Sequence, residues 1–376
     1  MTSSRAEPDL RLVEGRGRTE AGDAGEAERV SPLAGAEAQR RPGPSTSTPP
    51  CYAPRPMDLE GATVAITGIG GFIGRRAAVR FRERGLTVRG LEVDERARAP
   101  LLDQGWDVRA GDVTDRSAVR PFVEGADVVL HAAALVREDG PRRLFEHVNV
   151  GGTRVVAQAC AAAGVARLVH LSSVMVYGFD YPPAVDEEGP FPALLTNPYC
   201  ATKLKSEGVA LAVDGDGTGV VVLRPGDVYG PGSEPWVERP IRLMRQGLFV
   251  LPDEGQGVIN HLHVDNLIDA VFLALEGDVL SVPINVTDGV ATSCREYFTR
   301  LAAWAGLPPP PHAPSALLRP AFGALSLGAR LLRREPAARP AALRYLQRPH
   351  AYSIERARRM LGYQPRIDLA QGLAAL

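Results

Sequence analysis

From Thr63 onward, short apolar runs of strand length alternate with longer stretches of helical period. The runs are TVAITG, TVRGLEV, ADVVLHAAA, RLVHLSSVMVYG and VVVLRPGDVYG. Between them stand amphipathic stretches such as FIGRRAAVRFRERG and RLFEHVNVGGTRVVAQACAAAG. Continuous β-branched runs signal strands buried on both faces, and helices between them signal crossovers in a parallel sheet. The pattern predicts an α/β fold, a doubly wound parallel sheet of the Rossmann kind. After about Gly230 the alternation weakens and proline accumulates around LPPPPHAP. That last third is expected to form a smaller lobe over the carboxyl ends of the strands.

Residues 1–56 follow neither period. They are rich in Ala, Gly, Glu, Arg, Pro and Ser, and run into PGPSTSTPP. Such a composition cannot bury enough apolar surface to offset chain entropy, so the segment is expected to be disordered. The sequence restarts at MDLEGATVAITG, which reads as the start of the folded domain, with Met57 as its initiator.

Composition narrows the classes. A net charge of −1 gives no electrostatic case for nucleic acid or a membrane surface. No stretch approaches 18 uncharged apolar residues, so no membrane span is expected, and no cleavable apolar leader is seen. Cys51, Cys160, Cys200 and Cys294 lack paired or metal-ligand spacing, which suits a reduced, cytoplasmic chain. His261 and His263 flank Leu262 without ligand partners, so no metal site is expected.

Two stretches carry chemistry. The first strand runs into TGIGGFIG, Thr67 to Gly74, where Gly68 permits a tight turn, Gly71 close approach to a pyrophosphate and Gly74 close helix–strand packing. The bland alternative is an ordinary strand-to-helix turn. A carboxylate should end the second strand to bind ribose hydroxyls. Glu92 and Asp94 are the candidates, with Glu92 preferred because it lies inside the apolar run. Either acid repels a 2′-phosphate and favours NAD, while Arg96 and Arg98 keep NADP open. The second stretch is NPYCATKLKSE, which holds Lys203 and Lys205, the chain's only lysines. Tyr199 and Lys203 stand i, i+4, one above the other on a helix. They are either a reactive pair or a pair on the helix surface.

In order, TGIGGFIG, GDVTD, HAAA, NVGGT, LSSVMVYG and YCATK resemble the extended short-chain dehydrogenase/reductase family, over roughly residues 58–373. That family includes nucleotide-sugar epimerases, dihydroflavonol reductases and 3β-hydroxysteroid dehydrogenases. The resemblance implies an NAD-binding core over about 60–230 and 265–287, and a substrate lobe over about 231–264 and 288–376. It implies that Gly68, Gly71 and Gly74 bind pyrophosphate beside the Phe72 and Ile73 backbone, and that Glu92 binds ribose. Asp112 and Val113 then border the adenine, Ala132 and Ala133 line the cofactor, and Asn149 is the asparagine of the central helix. Pro225 and Val228 sit beside the nicotinamide. Ser173, chosen over Ser172, is the catalytic hydroxyl, and Tyr199 with Lys203 is the acid/base pair.

The residue types suit that chemistry. Moving a hydride to or from a secondary alcohol requires a proton to move at the same oxygen. A tyrosine of ordinary pKa, about 10, is a poor base at neutral pH. An ammonium one turn away favours the phenolate, and lysine offers a compact point charge that arginine does not. Ser173 can donate to the substrate oxygen. The expected activity is interconversion of an alcohol and a ketone on a small or lipophilic substrate. The lobe's Arg239, Arg242 and Arg245 read as one solvated helix face, with Ile241, Met244 and Leu248 inward, rather than as a diphosphate site. The run ALLRPAFGALSLGARLL is expected to line an apolar pocket or to cap it. A nucleotide-sugar epimerase or dehydratase with retained NAD is the alternative, and a non-catalytic NAD(P)-binding regulator a third reading. The expected partners are a small-molecule substrate and, as a homodimer, a second copy of the chain.

Overall fold

The computed structural model describes residues 56–376 except 139, 216, 279, 280 and 332–339. The disorder expected for residues 1–56 therefore lies outside the described residues, Pro56 excepted. Six strands, β1 (Thr63–Thr67), β2 (Thr87–Glu92), β3 (Asp107–Ala110), β4 (Val128–His131), β5 (Arg167–Leu171) and β6 (Gly219–Pro225), join Pro283–Val286 in one seven-stranded sheet. The order is β3-β2-β1-β4-β5-β6 and then Pro283–Val286, and every pairing is parallel. The order reverses between β1 and β4, which opens a crevice at the carboxyl ends of the strands.

Strand residues alternate between two apolar layers, as the two-residue period requires. Val64 and Ile66 enter one core with Ala77, Ala78 and Phe81 of helix α1 (Phe72–Glu83) and Leu267, Ile268 and Val271 of the helix Val264–Glu276. Ala65 enters the other, with Val129, Val156, Ala157 and Cys160. A separate core forms in the last third from Tyr229, Val237, Ile241, Phe249, Tyr297, Phe298 and Leu301.

Several expected elements differ. RLVHLSSVMVYG is strand only through Leu171, and Val174–Tyr177 is a 3₁₀ turn capped by Ser173 Oγ, which accepts from Met175 N–H at 3.2 Å. In VVVLRPGDVYG the chain leaves the main sheet after Pro225, and Asp227–Tyr229 pairs instead with His261–His263. Gly226 permits this change of partner, since a Cβ there would stand 2.3 Å from the Asn260 carbonyl oxygen. In the helix Arg239–Arg245, Ile241 is buried and Met244 partly so, but Leu248 is exposed, contrary to expectation. The helix has ended by then, and Gly247 turns the chain through a positive φ of 68°. Residues 316–331 of the run ALLRPAFGALSLGARLL lie in the helix Ser315–Leu331, where Leu318 is buried but Leu317, Leu325, Leu327 and Leu331 are 56–77% exposed, and Leu332 lies outside the described residues. Most of its leucines therefore line no interior pocket. No helix among the described residues is long and apolar enough to cross a membrane.

Candidate active site

Because all seven strands run the same way, the segments leaving their carboxyl ends gather on a single edge. Gly68 lies just past β1, Glu92 ends β2, Asp112 and Val113 come after β3, Ala132 and Ala133 after β4, Ser173 after β5, and Pro225 ends β6. Val228 lies buried just beyond, in Asp227–Tyr229. The topology thus brings these strand-end residues to one edge of the sheet, at this crevice.

At its β1 end the backbone has no room for side chains. Gly68 has φ +70°, and a Cβ on it would meet Ala133 Cα at 2.9 Å. A Cβ on Gly74 would lie 2.2 Å from the Gly68 carbonyl oxygen. Helix α1 opens at Gly71 with no side-chain cap and no acid in its first turn, so Phe72 and Ile73 present backbone N–H groups to an incoming anion. Glu92 is buried. Its Oε2 accepts from Gly70 N–H at 2.9 Å, and its Oε1 from Val93 and Asp94 N–H at 2.9 and 3.0 Å. With both lone pairs of Oε1 and one of Oε2 taken, the carboxylate keeps one acceptor site, on Oε2, for a hydroxyl. Asp94 instead caps the helix Glu95–Asp103 through Arg96 N–H, and Arg98 pairs with Glu95. Asp112 is exposed and accepts from the Thr114 N–H and hydroxyl at 2.8 and 2.9 Å, while Val113 is buried against Gly152.

The reactive pair sits on the helix Pro198–Leu211. Asn197 starts this helix by accepting from Tyr199 and Cys200 N–H at 2.9 and 3.1 Å, and Pro198 takes the first position, where its missing N–H costs nothing. Lys203 is buried, with Nζ donating to the Leu171 carbonyl at 2.6 Å. Tyr199 packs among Met175, Phe179, Leu195, Cys200 and Tyr345. Asn149 lies in a π-helical turn, Glu146–Gly152, a distortion frequent at functional sites. Its Oδ1 accepts from Leu135 N–H at 2.7 Å, and its Nδ2 donates to Thr202 Oγ1 at 3.1 Å, tying the loop after β4 to the reactive helix.

Burial sets the protonation states. It pushes the Tyr199 phenol up to about 12, against a hydrogen bond from Ser173 that holds it down. In the free chain burial outweighs that hydrogen bond, and the Lys203 ammonium donates to the Leu171 carbonyl; the lowering expected from the ammonium together with a positive nicotinamide belongs to the cofactor-bound site. Burial also lowers Lys203 to about 8, opposed by Glu207. The Cys200 thiol rises to about 12 through burial, which leaves no thiolate nucleophile at neutral pH. His131 is lowered to about 3 by burial and then by the Lys203 charge, and it lies between Thr67 and Thr153 hydroxyls at 2.8 and 3.0 Å. His261 holds Asp288 and Thr292, both at 2.9 Å, and His263 caps the helix Val264–Glu276. No cluster of metal-ligating side chains occurs among the described residues.

Residues 64–286 match the NAD dependent epimerase/dehydratase family. The chain belongs to that family. It is an NAD-dependent oxidoreductase of the extended short-chain dehydrogenase/reductase type. It is 31% identical over 83% of its length to a 4-hydroxy-2-methyl-3-oxo-4-farnesyl-3,4-dihydroquinoline-1-oxide ketoreductase of Stigmatella aurantiaca, covering 94% of that protein. It is 32% identical over 83% of its length to a 2-alkyl-3-oxoalkanoate reductase of Stenotrophomonas maltophilia, covering 98% of that protein. Among solved structures it resembles MoeE5 in complex with UDP-glucose and NAD, with a TM-score of 0.65 and 26% identity over 84% of this chain and 97% of that one.

The glycine cradle and the satisfied but unexhausted Glu92 carboxylate fit NAD. Sequence reasoning overlooked Gly70, whose missing Cβ makes room for Glu92, and Tyr345, which reaches the reactive cluster from a distant helix. It also passed over Glu207, although the i, i+4 spacing that picked out Tyr199 and Lys203 continues to it.

Proposed function

We propose that the enzyme reduces a ketone to a secondary alcohol, or runs the reverse, on a small lipophilic substrate. When bound, the nicotinamide of NAD(H) supplies or takes up the hydride. Tyr199 moves the proton. As a phenol it is fully protonated at neutral pH, which suits a general acid in the reducing direction. Ser173 donates to the substrate oxygen and stabilises charge developing there. Lys203 would hold the cofactor ribose and supply positive charge beside the phenol. Gly68, Gly71 and Gly74, with the Phe72 and Ile73 backbone, would hold the pyrophosphate, and Glu92 the adenosine ribose. Asp112, Val113, Ala132, Ala133, Asn149, Pro225 and Val228 would line the rest of the cofactor site.

The observation that carries the substrate class is where the lobe's arginines go. A nucleotide sugar needs cations for a second pyrophosphate. Arg239 binds Glu138 at 2.7 Å, Arg242 binds Glu234 at 2.6 Å, and buried Arg348 binds buried Asp227. Around Tyr199 stand Met175, Phe179, Leu195 and Tyr345 instead. The names of both reductase relatives specify ketone-bearing compounds with alkyl or isoprenoid parts, which agrees. The UDP-sugar complexes of MoeE5 favour the second reading, an epimerase or dehydratase. The described cysteines, Cys160, Cys200 and Cys294, are free and buried, which suits a cytoplasmic enzyme.

The test is NADH oxidation with steroid, flavonoid and 2-alkyl-3-oxoalkanoate ketones, beside chromatographic product analysis of UDP- and dTDP-sugars, whose epimerisation or dehydration consumes no NADH. Turnover of the ketones alone is expected. Turnover confined to nucleotide sugars would overturn the assignment.

A further inference from the structure

Two buried charges, one on the reactive helix and one on β6, take no direct part in this chemistry. The Glu207 side chain is 5% exposed, and Arg224, on β6, is 2% exposed. Arg224 grips Glu207 with both arms, Nε to Oε1 at 2.9 Å and Nη2 to Oε2 at 2.7 Å. Ser172 Oγ donates to the same Oε1. The third arm of Arg224 reaches the Tyr177 hydroxyl at 2.7 Å, and that hydroxyl donates to Asn285 Oδ1 at 2.9 Å.

An ion pair this deep is a poor device for stability alone, because well-packed apolar residues of similar volume commonly do as well or better. Its position gives it another use. Tyr199, Lys203 and Glu207 succeed one another at single-turn spacing on one helix face. Two successive residues at the end of β5 meet two of them: the Leu171 carbonyl takes Lys203 and the Ser172 hydroxyl takes Glu207, with Ser173 next in the chain. Helix and strand end are thus stitched at two points, and among the described residues Glu207 is the carboxylate in the seam.

We propose that Glu207 is a positioning residue of this active site: through Ser172 it fixes the backbone that presents Ser173, and through its charge it keeps Lys203 a cation. This rests on the reading of Tyr199, Lys203 and Ser173 as the reacting set. The other titratable groups facing Lys203 are His131 on β4 and His170 on β5, both buried and neutral, and Tyr199 on its own helix. Facing Glu207 are Arg224 and Tyr177, with Glu187 beyond, where its carbonyl accepts from Arg224 and its carboxylate lies 3.5 Å from Arg356. Glu207 is therefore the carboxylate that lies one turn from the ammonium.

The composition offers a direct test, because Lys203 and Lys205 are the only lysines. The full chain labelled with ¹³C-lysine gives two side-chain signals, and Lys205, exposed and paired with Glu146, is the reference. In Glu207→Gln the Lys203 titration midpoint should fall, each pH unit being a tenfold loss of proton affinity. Mere loosening would admit water and move the midpoint up toward that of free lysine. A rise or no change overturns the charge role. Ser172→Ala, which keeps the ion pair, should lower kcat while leaving the KM for NADH and the Lys203 midpoint in place. A wild-type kcat in this variant overturns the Ser173 role. The titration needs no substrate, so it judges Glu207 even if no ketone in the panel is turned over, an outcome that would count against the reductase reading instead.

Discussion

Replacing Gly74 with Ala should separate the cofactor cradle from an ordinary turn. The new Cβ would stand 2.2 Å from the Gly68 carbonyl oxygen, 2.9 Å from Ile69 Cα and 3.0 Å from the Gly68 carbonyl carbon. All three are backbone atoms, so no side chain can swing away. Restoring ordinary contact, which begins at about 3.4 Å, displaces the loop or the start of α1 by about 1.2 Å. A misplacement of about 1 Å in a positioning element costs on the order of 100-fold, and overpacking costs about 1–3 kcal/mol of stability. Gly70→Ala is the control. Its Cβ would meet Glu92 Oε2 at 2.6 Å, which can swing, and Ala97 Cβ at 2.7 Å, which moves only with its helix and by about 0.7 Å. The carboxylate yields and the backbone shift is smaller than in Gly74→Ala, so NAD binding should weaken severalfold with less loss of stability. Calorimetric titration with NAD and NADH, beside thermal melting, reads both effects. If Gly74→Ala binds NAD within about twofold of wild type, the cradle does not hold the pyrophosphate.

Tyr199→Phe should lower turnover by about 10²–10⁴-fold, the usual contribution of a general acid, with NADH affinity nearly unchanged; near-wild-type turnover removes Tyr199 from the mechanism. Glu92→Ala should weaken NAD and narrow the preference over NADP, read as a ratio of the two kcat/KM values; an unchanged ratio releases Glu92 from the ribose. A chain starting at Met57 should keep the thermal midpoint and turnover of the full chain, and a large drop in either would show that the preceding residues dock on the domain.

The parts of the fold most legible in sequence are those buried on both sides. β1, β2, β4, β5 and β6 are interior strands, and their apolar runs announce them. β3 is DVRA, with only Val108 buried, and Pro283–Val286 begins with proline; both lie at sheet edges, where one flank is unpaired and polar residues or proline are tolerated. The site was legible where it is local. Glycine spacing and the Tyr199–Lys203 interval are properties of one turn and one helix. Tyr345 and the Arg348–Asp227 pair were not, because they meet across more than a hundred residues and carry no periodic signal. The upward push that burial gives the phenol in the free chain was not legible for a related reason: spacing shows which charge is near, but not how much water is excluded.

That exclusion leads to a prediction about the cost of the site. Lys203 is charged at neutral pH although burial lowers it from 10.5 to about 8. At 1.36 kcal/mol per unit, holding the cation in place costs about 3 kcal/mol. Lys203→Met removes the charge and keeps an apolar stem, but leaves the Leu171 carbonyl without its donor, an offset of about 1 kcal/mol. The inactive variant should therefore be more stable than wild type at pH 7, by about 2 kcal/mol. Proton counting sets the sign of the pH dependence. Between about pH 8 and 10.5 the unfolded chain keeps this proton and the folded chain has lost it, so wild-type stability gains with rising pH from this group. Below pH 8 both states hold the proton and the full penalty stands. The gap between the two chains should close as pH rises from 8 toward 10. Cysteines and tyrosines also titrate in that range, but they are common to both chains and cancel in the difference. Urea unfolding at pH 7, 8, 9 and 9.5 measures it. A variant less stable than wild type at pH 7, or a gap that stays constant with pH, would mean that the lysine is not a desolvated cation.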